Sequence, residues 1–304
     1  MFGSDIMHLE CFSYFYNVAM TKSISKVAAN SHISQSALSQ QIQKLEESLG
    51  QKLLIRSNKG VELTEMGNIV FKYSDNIIRT YNKMLEEMNN HENGDQNIQI
   101  EACWPLALYA LPCTLYDMKK KFQMHNYILK SNSANAIEQN ILNNISDIGF
   151  IYGKPKDESL VSLEIGHDDI VLVAPYMMGI SDEISIKDLY EYPLIMLEDN
   201  LRIKRYIRSH LINIGYKIEE LNILLNMDTA EAVKSSLSQG FGMSFLPYIS
   251  VKKELYQKQL KLVKIKEINI RYPINIVCKK DYTQSEILTD FVNSFRLKGK
   301  KSFC

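Results

Sequence analysis

The apolar positions in the first third of the chain recur at the spacing of amphipathic helices. They predict helices over about 7–20, 24–30 and 34–50, separated by a break at 21–23 and a turn at 30–32. The inward stripe of the first helix consists of Leu9, Phe12, Tyr16 and Ala19. That of the third consists of Leu38, Ile42, Leu45 and Leu49. Two short helices joined by a tight turn, the second with a polar outer face, are typical of a helix-turn-helix.

The outer face of the third helix carries uncharged amides and hydroxyls, where an ordinary solvated face carries Lys and Glu. Glutamine can pair with the adenine edge in the major groove, and serine can bond to bases and phosphates. We therefore predict that this face reads DNA bases, with Ser34 and Lys44 on phosphates; a merely solvated face is the alternative. The residues of the face are Gln35, Ser36, Ser39, Gln40 and Gln43.

A short hairpin is predicted next, with strands at 52–56 and 61–63 around a turn at 57–60. It resembles the wing of a winged helix-turn-helix. Arg56 and Lys59 are placed for contact with phosphates or the minor groove, and a solvated hairpin tip is the alternative.

A long helix over 64–90 follows, and the polar stretch 91–95 reads as a linker. Its apolar stripe consists of Met66, Val70, Tyr73, Ile77, Tyr81, Met84 and Met88. Because a lone helix of this length cannot bury such a stripe, we predict that it pairs with a second copy of the chain as a coiled-coil-like dimer. The alternative is that the helix packs on its own downstream domain.

From residue 98 onward the pattern alternates between strands and helices, which predicts an α/β domain with a mostly parallel sheet. The predicted strands are 98–102, 127–130, 148–152, 169–174, 194–197, 221–226 and 272–279. The predicted helices are 103–122, 135–143, 186–190, 201–215, 229–239 and 285–297.

Composition narrows the function class. The chain has 304 residues, of which 45% are hydrophobic and 23% charged, and a net charge of zero argues against non-specific coating of DNA. Five Cys occur without metal-ligand spacing, no signal peptide precedes them, and no apolar run is long enough to span a bilayer, so we expect a cytoplasmic protein without metal or cofactor. No catalytic or nucleotide-binding motif is present and the six His are isolated, so an enzyme is not expected. A solute-binding protein would need export.

Several segments together resemble the LysR-type transcriptional regulators over nearly the whole chain. The matching segments are 33–42, 45–50, 53–56, 63–67, 147–150, 169–175 and 239–247. The resemblance implies an α/β protein with an N-terminal all-α winged helix-turn-helix, a long linker helix and a two-lobed effector domain like a type 2 periplasmic binding protein. It implies domains at 1–63, 64–91 and 95–304, with a first lobe at about 95–165 and 266–304 and a second lobe at about 166–265.

The same resemblance implies how such a protein works. A small effector binds between the lobes and changes DNA bending and contact with RNA polymerase. The expected partners are promoter or operator DNA, the effector and further copies of the chain, as a dimer through the linker helix and as a homotetramer. A DNA-bending regulator with an occluded, effector-independent sensor domain is the alternative.

Candidate effector contacts follow from matching positions in the family. They are Cys103, Trp104, Ser131, Ser133, Phe150, Tyr152, Glu198, Asn200, Thr229 and Phe245. Each has a structural alternative in turn capping or core packing. Trp104 either stacks on a planar effector or fills the cleft, Cys103 invites a redox role, and Arg202 either binds an anionic effector or forms a surface ion pair.

Three positions depart from the family pattern. Ser36 replaces a common Pro and Gln40 a common Arg, so we expect base preference to shift towards A·T edges. Ser31 occupies a turn position that is usually apolar, which predicts a looser contact between the two helices.

Overall fold

The described chain falls into two compact units, Met1–Glu92 and Asn93–Cys304. The computed structural model describes residues 9–57, 60–93, 96–198, 202–280, 282, 288–290 and 292–293. Lys59, Asn200 and most of the predicted helix over 285–297 lie outside the described residues, as does the side chain of Arg56.

The first unit is a helix-turn-helix followed by a hairpin and a long helix. Its elements are α1 (Leu9–Thr21), α2 (Ile24–Asn30), α3 (Gln35–Leu49), β1 (Leu54–Ser57), β2 (Gly60–Leu63) and α4 (Glu65–Asn93). Ser23 and Ser34 cap α2 and α3 by accepting backbone hydrogen bonds, and Gly50 ends α3 in the left-handed region at φ 64°. The predicted order of helices and hairpin is thus confirmed.

The inward face of α1 differs from the prediction. Its buried residues are Cys11, Phe12, Phe15 and Val18, so the stripe lies mainly between the predicted positions Leu9, Tyr16 and Ala19. Tyr16 instead stacks on Phe71 of α4, with ring centroids 4.9 Å apart. The predicted stripe was wrong because this helix has apolar residues on two adjacent faces, offset by one residue or about 100° around the axis, and the other face is the buried one.

The end of α3 also departs from its predicted stripe. Leu49 is exposed, and the buried residue of this last turn is Glu46. Glu46 accepts hydrogen bonds from Lys52 Nζ at 2.7 Å and from the backbone N–H of Leu53 and Leu54 at 2.8 and 3.2 Å. Burial would raise the pKa of Glu46, but these hydrogen bonds together hold it below its ordinary value. The carboxylate therefore fastens the hairpin to α3.

The start of α4 is fixed against the chain just before β1. Thr64 caps it, since its hydroxyl accepts from Gly67 N–H at 2.8 Å and donates to the Lys52 carbonyl at 2.7 Å. A Cβ at Gly67 would lie 2.1 Å from the carbonyl oxygen of Leu53, so only glycine permits this approach.

Apolar side chains along α4 remain exposed within this unit. They are Met66, Ile69, Tyr73, Ile77, Tyr81, Met84, Leu85 and Met88. Val70, which was predicted on this stripe, packs instead on the core of the unit, and Ile69 takes its place on the exposed side.

The second unit is a mixed α/β domain. Its strands are β3 (Gln96–Ala102), β4 (His125–Ser131), β5 (Ile148–Tyr152), β6 (Leu160–Pro175), β7 (Glu183–Ile184), β8 (Leu194–Leu197), β9 (Ile223–Met227), β10 (Ser244–Pro247), β11 (Leu260–Ile265) and β12 (Ile270–Lys279). Its helices are α5 (Leu111–Lys121), preceded by a π-helical turn at Leu106–Ala110, α6 (Ala134–Leu142), α7 (Ile186–Leu189), α8 (Ile203–Asn213), α9 (Ala230–Ser238) and α10 (Tyr248–Tyr256).

Two long antiparallel strands, β6 and β12, cross the whole domain. The main sheet runs β4-β3-β5-β12-β6-β11-β7, with β10 on β6, and β8 pairs with β9. The expectation of a mostly parallel sheet was wrong, because β6 pairs antiparallel with β10, β11 and β12. The β6–β12 register breaks between Ile274 and Asn275, opposite Gly166.

The elements on either side of this break form two groups. We call the group with β3, β4, β5, α5 and α6 lobe I, and the group with β7–β11 and α7–α10 lobe II. Both lobes share one hydrophobic core, which runs from Ile98 to Leu288 and Val292 in sequence.

Candidate DNA interface and effector cleft

The outer face of α3 is open to solvent. Gln35, Ser36, Gln40, Gln43 and Lys44 are exposed and Ser39 is half-buried. The opposite face, with Leu38, Ile42 and Leu45, is fully buried and fixes the helix on the first unit. Packing on one side and polar groups on the other give a rigid helix whose hydrogen-bonding groups can reach base edges.

Local contacts arrange the first turn of this face. The hydroxyl of Ser34 accepts from Ala37 N–H at 3.1 Å and lies 2.9 Å from the hydroxyl of Ser36. Gln43 donates to Glu47 at 2.8 Å. In the wing, the backbone of Arg56 pairs with Val61.

A cavity lies between the two lobes of the second unit. Its wall comprises Cys103, Trp104, Pro105, Asn132, Ser133, Ala134, Tyr152, Leu197, Arg202, Ile203, Asp228 and Ala230. The space open to the centre of a water molecule is about 30 Å³, enough for about two waters. The starts of α6, α8 and α9 all reach this wall. Helix N-termini carry N–H groups without intrahelical partners, whereas the accessible wall of this cavity is mainly apolar.

Four of the predicted effector contacts line the cavity: Cys103, Trp104, Ser133 and Tyr152. Ser133 and Thr229 use their hydroxyls to cap α6 and α9, accepting backbone N–H bonds at 3.3 and 3.2 Å. Sequence reasoning did not name the remaining wall residues, apart from Arg202.

The other predicted contacts lie elsewhere. Phe150 and Phe245 are buried in the hydrophobic core at 1% and 2% exposure, because their strands β5 and β10 are covered on both faces. Ser131 and Glu198 are exposed at the ends of β4 and β8. Thr229 adjoins the wall residues Asp228 and Ala230 without lining the cavity itself.

Arg202 forms an ion pair across the cleft. Its Nη2 lies 2.5 Å from Glu138 Oε1 and 2.7 Å from Asn135 Oδ1, both on α6, and Nη1 donates to the Lys154 carbonyl at 3.3 Å. Arg202 therefore forms an ion pair, as one of its two alternatives had it, but a largely buried one: the side chains of Arg202 and Glu138 are only 13% and 4% exposed.

A second polar group joins the lobes beside Trp104, whose ring meets Tyr109 edge-on at 6.3 Å. The Tyr109 hydroxyl donates to Glu231 and accepts from Lys234 Nζ at 3.0 Å. Lys234 also contacts Glu231 at 2.7 Å and Glu254 at 2.9 Å. Burial and the Glu231 hydrogen bond raise the pKa of Tyr109 to about 12. Burial would lower the pKa of Lys234, but its hydrogen bonds with Glu231, Tyr109 and Glu254 raise it.

A buried carboxyl lies behind the cavity, next to the point where the strands cross. Asp168 accepts from the Tyr152 hydroxyl at 2.8 Å and from Ile249 N–H at 3.4 Å. Burial raises the pKa of Asp168 to about 6, although the hydrogen bonds from Tyr152 and Ile249 oppose this. Asp168 is therefore protonated more readily than an ordinary aspartate.

Two family models together match almost the whole chain. The model of the bacterial regulatory helix-turn-helix protein, lysR family, matches residues 9–68, and that of the LysR substrate binding domain matches residues 96–298.

The chain belongs to the LysR family of transcriptional regulators. It is a DNA-binding regulator with an effector-binding domain, and its family consists of regulators and not of enzymes.

Two relatives of this LysR-type regulator share one description. The probable RuBisCO transcriptional regulators of Trieres chinensis and Phaeodactylum tricornutum are each 27% identical to it, covering 91% and 92% of this chain and 92% and 93% of their own. Among solved structures, the LysR family regulator CbnR has the same fold, with a TM-score of 0.76 at 20% identity over 95% of this chain and 98% of its own. CbnR has also been solved in complex with its target DNA.

The thiol of Cys103 lies in the cavity wall. Burial raises the pKa of its thiol to about 11, so the reactive thiolate is suppressed. Cys113 is exposed on α5, where Thr114 takes the buried position.

Among the described residues, no cluster of three or more His, Cys, Asp or Glu is placed to hold a metal ion. No described helix combines the length and apolar character needed to cross a membrane.

Proposed function

We propose that α3 lies in the major groove of operator DNA and reads base edges through its exposed amides and hydroxyls. The single observation that carries this proposal is the solvent-open polar face of a helix whose other face is fully buried. The base-reading residues of the proposal are Gln35, Ser36, Ser39, Gln40 and Gln43. Ser34, Lys44, Arg56 and Lys59 fix the register on phosphates.

We further propose that α4 pairs two copies of the chain, which assemble into a homotetramer. The row of exposed apolar side chains on α4 supports this, because a row this long is a typical coiled-coil contact. Pairing gives two reading heads for two half-sites. On this proposal, 1–63 binds DNA, 64–91 joins the subunits and 95–304 senses the effector in the cytoplasm, where the complex contacts RNA polymerase.

Replacement of Met84 by Lys tests the pairing. The charge falls on the exposed apolar row, so sedimentation should report a smaller species than the unaltered chain. Asn82→Lys adds the same charge to an exposed residue on the other side of α4 and should leave the assembly unchanged. An unchanged assembly for Met84→Lys would contradict the pairing.

The cavity between the lobes is the proposed effector site. Its wall combines two aromatic rings, Trp104 and Tyr152, with the guanidinium of Arg202, and three helices begin there. This composition favours a small anionic or planar effector. The alternative is a DNA-bending regulator with an occluded sensor, which the small free volume of about 30 Å³ favours.

The test is fluorescence anisotropy of the full chain on labelled DNA from its own upstream intergenic region, against scrambled DNA, at about 150 mM salt. Preference of about a hundredfold or more supports a sequence-specific regulator. Equal weak binding to both would contradict base reading at that site. A small-molecule screen that follows Trp104 emission then separates the effector-controlled regulator from the occluded one, since only the first responds.

A further inference from the structure

The cleft of the second unit is bridged at two places by side chains of the chain itself. At the first place, Arg202 at the start of α8 in lobe II binds Glu138 and Asn135 on α6 in lobe I. At the second, the Tyr109 hydroxyl in lobe I binds Glu231 and Lys234 on α9 in lobe II. We call these the Arg202 clamp and the Tyr109 clamp.

The Arg202 clamp is held under backbone strain. Arg202 adopts φ 34°, a left-handed conformation that a residue with a side chain adopts only at a cost. Its side-chain contacts to Asn135 and Glu138 offset that cost and draw the start of α8 towards lobe I. Within the described residues its Nε is buried without a hydrogen-bond acceptor, so the guanidinium retains a donor beside the cavity.

The Tyr109 clamp depends on a buried cation. The side chain of Lys234 is 7% exposed and is neutralised by Glu231 and Glu254, with a further hydrogen bond to the Ser250 carbonyl at 3.0 Å. All these partners belong to lobe II, so Lys234 is satisfied by its own lobe. Tyr109 is the side chain that lobe I adds, through its hydroxyl and through its ring, whose centroid lies 5.2 Å from Lys234 Nζ.

Both clamps border the same small cavity. Arg202 lines it directly, and Tyr109 meets the wall residue Trp104 edge-on. The free space of about 30 Å³ between them is well below the few hundred Å³ of a typical ligand site. A molecule larger than a few atoms therefore fits only when the lobes move apart.

We propose that the Arg202 and Tyr109 clamps hold the cleft closed and that the effector enters only when they part. This inference rests on the proposed function of the cleft and adds its regulation. An anionic effector takes the place of the Glu138 carboxylate at Arg202. Binding of the effector therefore breaks the Arg202–Glu138 ion pair in the same step.

The chain contains one tryptophan, Trp104, which lies in the cavity wall and reports directly on closure. The experiment is acrylamide quenching of the full chain, with lifetimes measured so that the bimolecular quenching constant is obtained. Tyr109→Phe removes the hydroxyl and keeps the ring on Trp104. Glu138→Gln removes the charge that binds Arg202. We expect the quenching constant to rise in each variant and by at least about twofold in the double variant.

Glu219→Gln is the matched control, because Glu219 pairs with Arg208 at 3.1 Å within lobe II and away from the cavity wall. It should leave quenching unchanged. Circular dichroism verifies that each variant is folded, and Tyr109→Phe serves as the conservative variant if Glu138→Gln does not fold. Unchanged quenching in folded Tyr109→Phe and in the double variant would overturn the clamp proposal. Operator preference of the unaltered chain tests the proposed DNA reading separately, because that measurement involves no change in the clamps.

Discussion

The polar face of α3 and the cleft of the second unit are the two proposed functional surfaces. The side chains of the first are exposed and do not hold the fold together, whereas those of the second are buried and do. Gln40 and its neighbours on α3 are exposed, and the packing of the first unit is done by the other face. In the cleft, Arg202, Lys234 and Asp168 are largely buried and bound to partners from distant parts of the chain. Recognition on α3 can therefore change without loss of stability, whereas changes in the cleft alter the fold and the function together.

The largest expected change is a loss of stability of the first unit, caused by a substitution that leaves the polar face of α3 unaltered. Gly67→Ala adds a Cβ that would lie only 2.1 Å from the carbonyl oxygen of Leu53. The start of α4 must therefore shift. We expect a loss of about 3 kcal/mol or more in the free energy of unfolding of this unit, measured by urea denaturation. Gly50→Ala, at φ 64° with open space around it, should cost only about 1 kcal/mol. Equal losses would show that the close approach at Gly67 is not a constraint.

The next effect concerns the cleft. Because the pKa of Asp168 is raised to about 6 in the folded state, its contribution to stability is present below the unfolded pKa near 4 and is lost as pH rises through 6. We expect this loss to be on the order of 2 kcal/mol, measured by urea denaturation across pH 4–7. Asp168→Asn should remove this part of the pH dependence.

Glu164→Gln is the control for that variant, since Glu164 is an exposed carboxylate on the same strand, β6. The same pH dependence in Asp168→Asn as in the unaltered chain would contradict the assignment.

The smallest expected change in stability is at Ser34, which has both a proposed role in DNA binding and a role in the fold. It is proposed to hold a phosphate, and it also caps α3 through Ala37 N–H. Ser34→Ala should therefore cost about 1 kcal/mol of stability as well as affinity. Its neighbour Ser36, exposed on the same turn and not a cap, should cost little stability when replaced by Ala. Thermal unfolding of the two variants measures the difference, and equal midpoints would rule out the cap.

The same contrast explains what the sequence could predict. The position of the α3 face can be predicted from the spacing of its apolar residues and from the caps at its two ends. Ser34, Leu38 and Gly50 mark the start, the buried side and the end of the helix. The Arg202 clamp joins residues 64 positions apart, and no local pattern marks that pairing. The first half of β6, over 160–168, was missed because its half-buried positions do not form the continuous apolar run that marks 169–174. Phe150 and Phe245 match family positions, yet packing on both faces of their strands decides that they are core.

The central claim is that α3 reads bases through side chains that the fold does not require. Gln40→Ala tests it most directly, in one set of samples measured for operator affinity, for affinity to operators changed one base pair at a time, and for the unfolding midpoint. We predict a loss of about 1–3 kcal/mol in operator affinity, relaxed preference at one base pair, and an unchanged midpoint. An equal loss of affinity on every sequence, or a fall in the midpoint with preference intact, would contradict it.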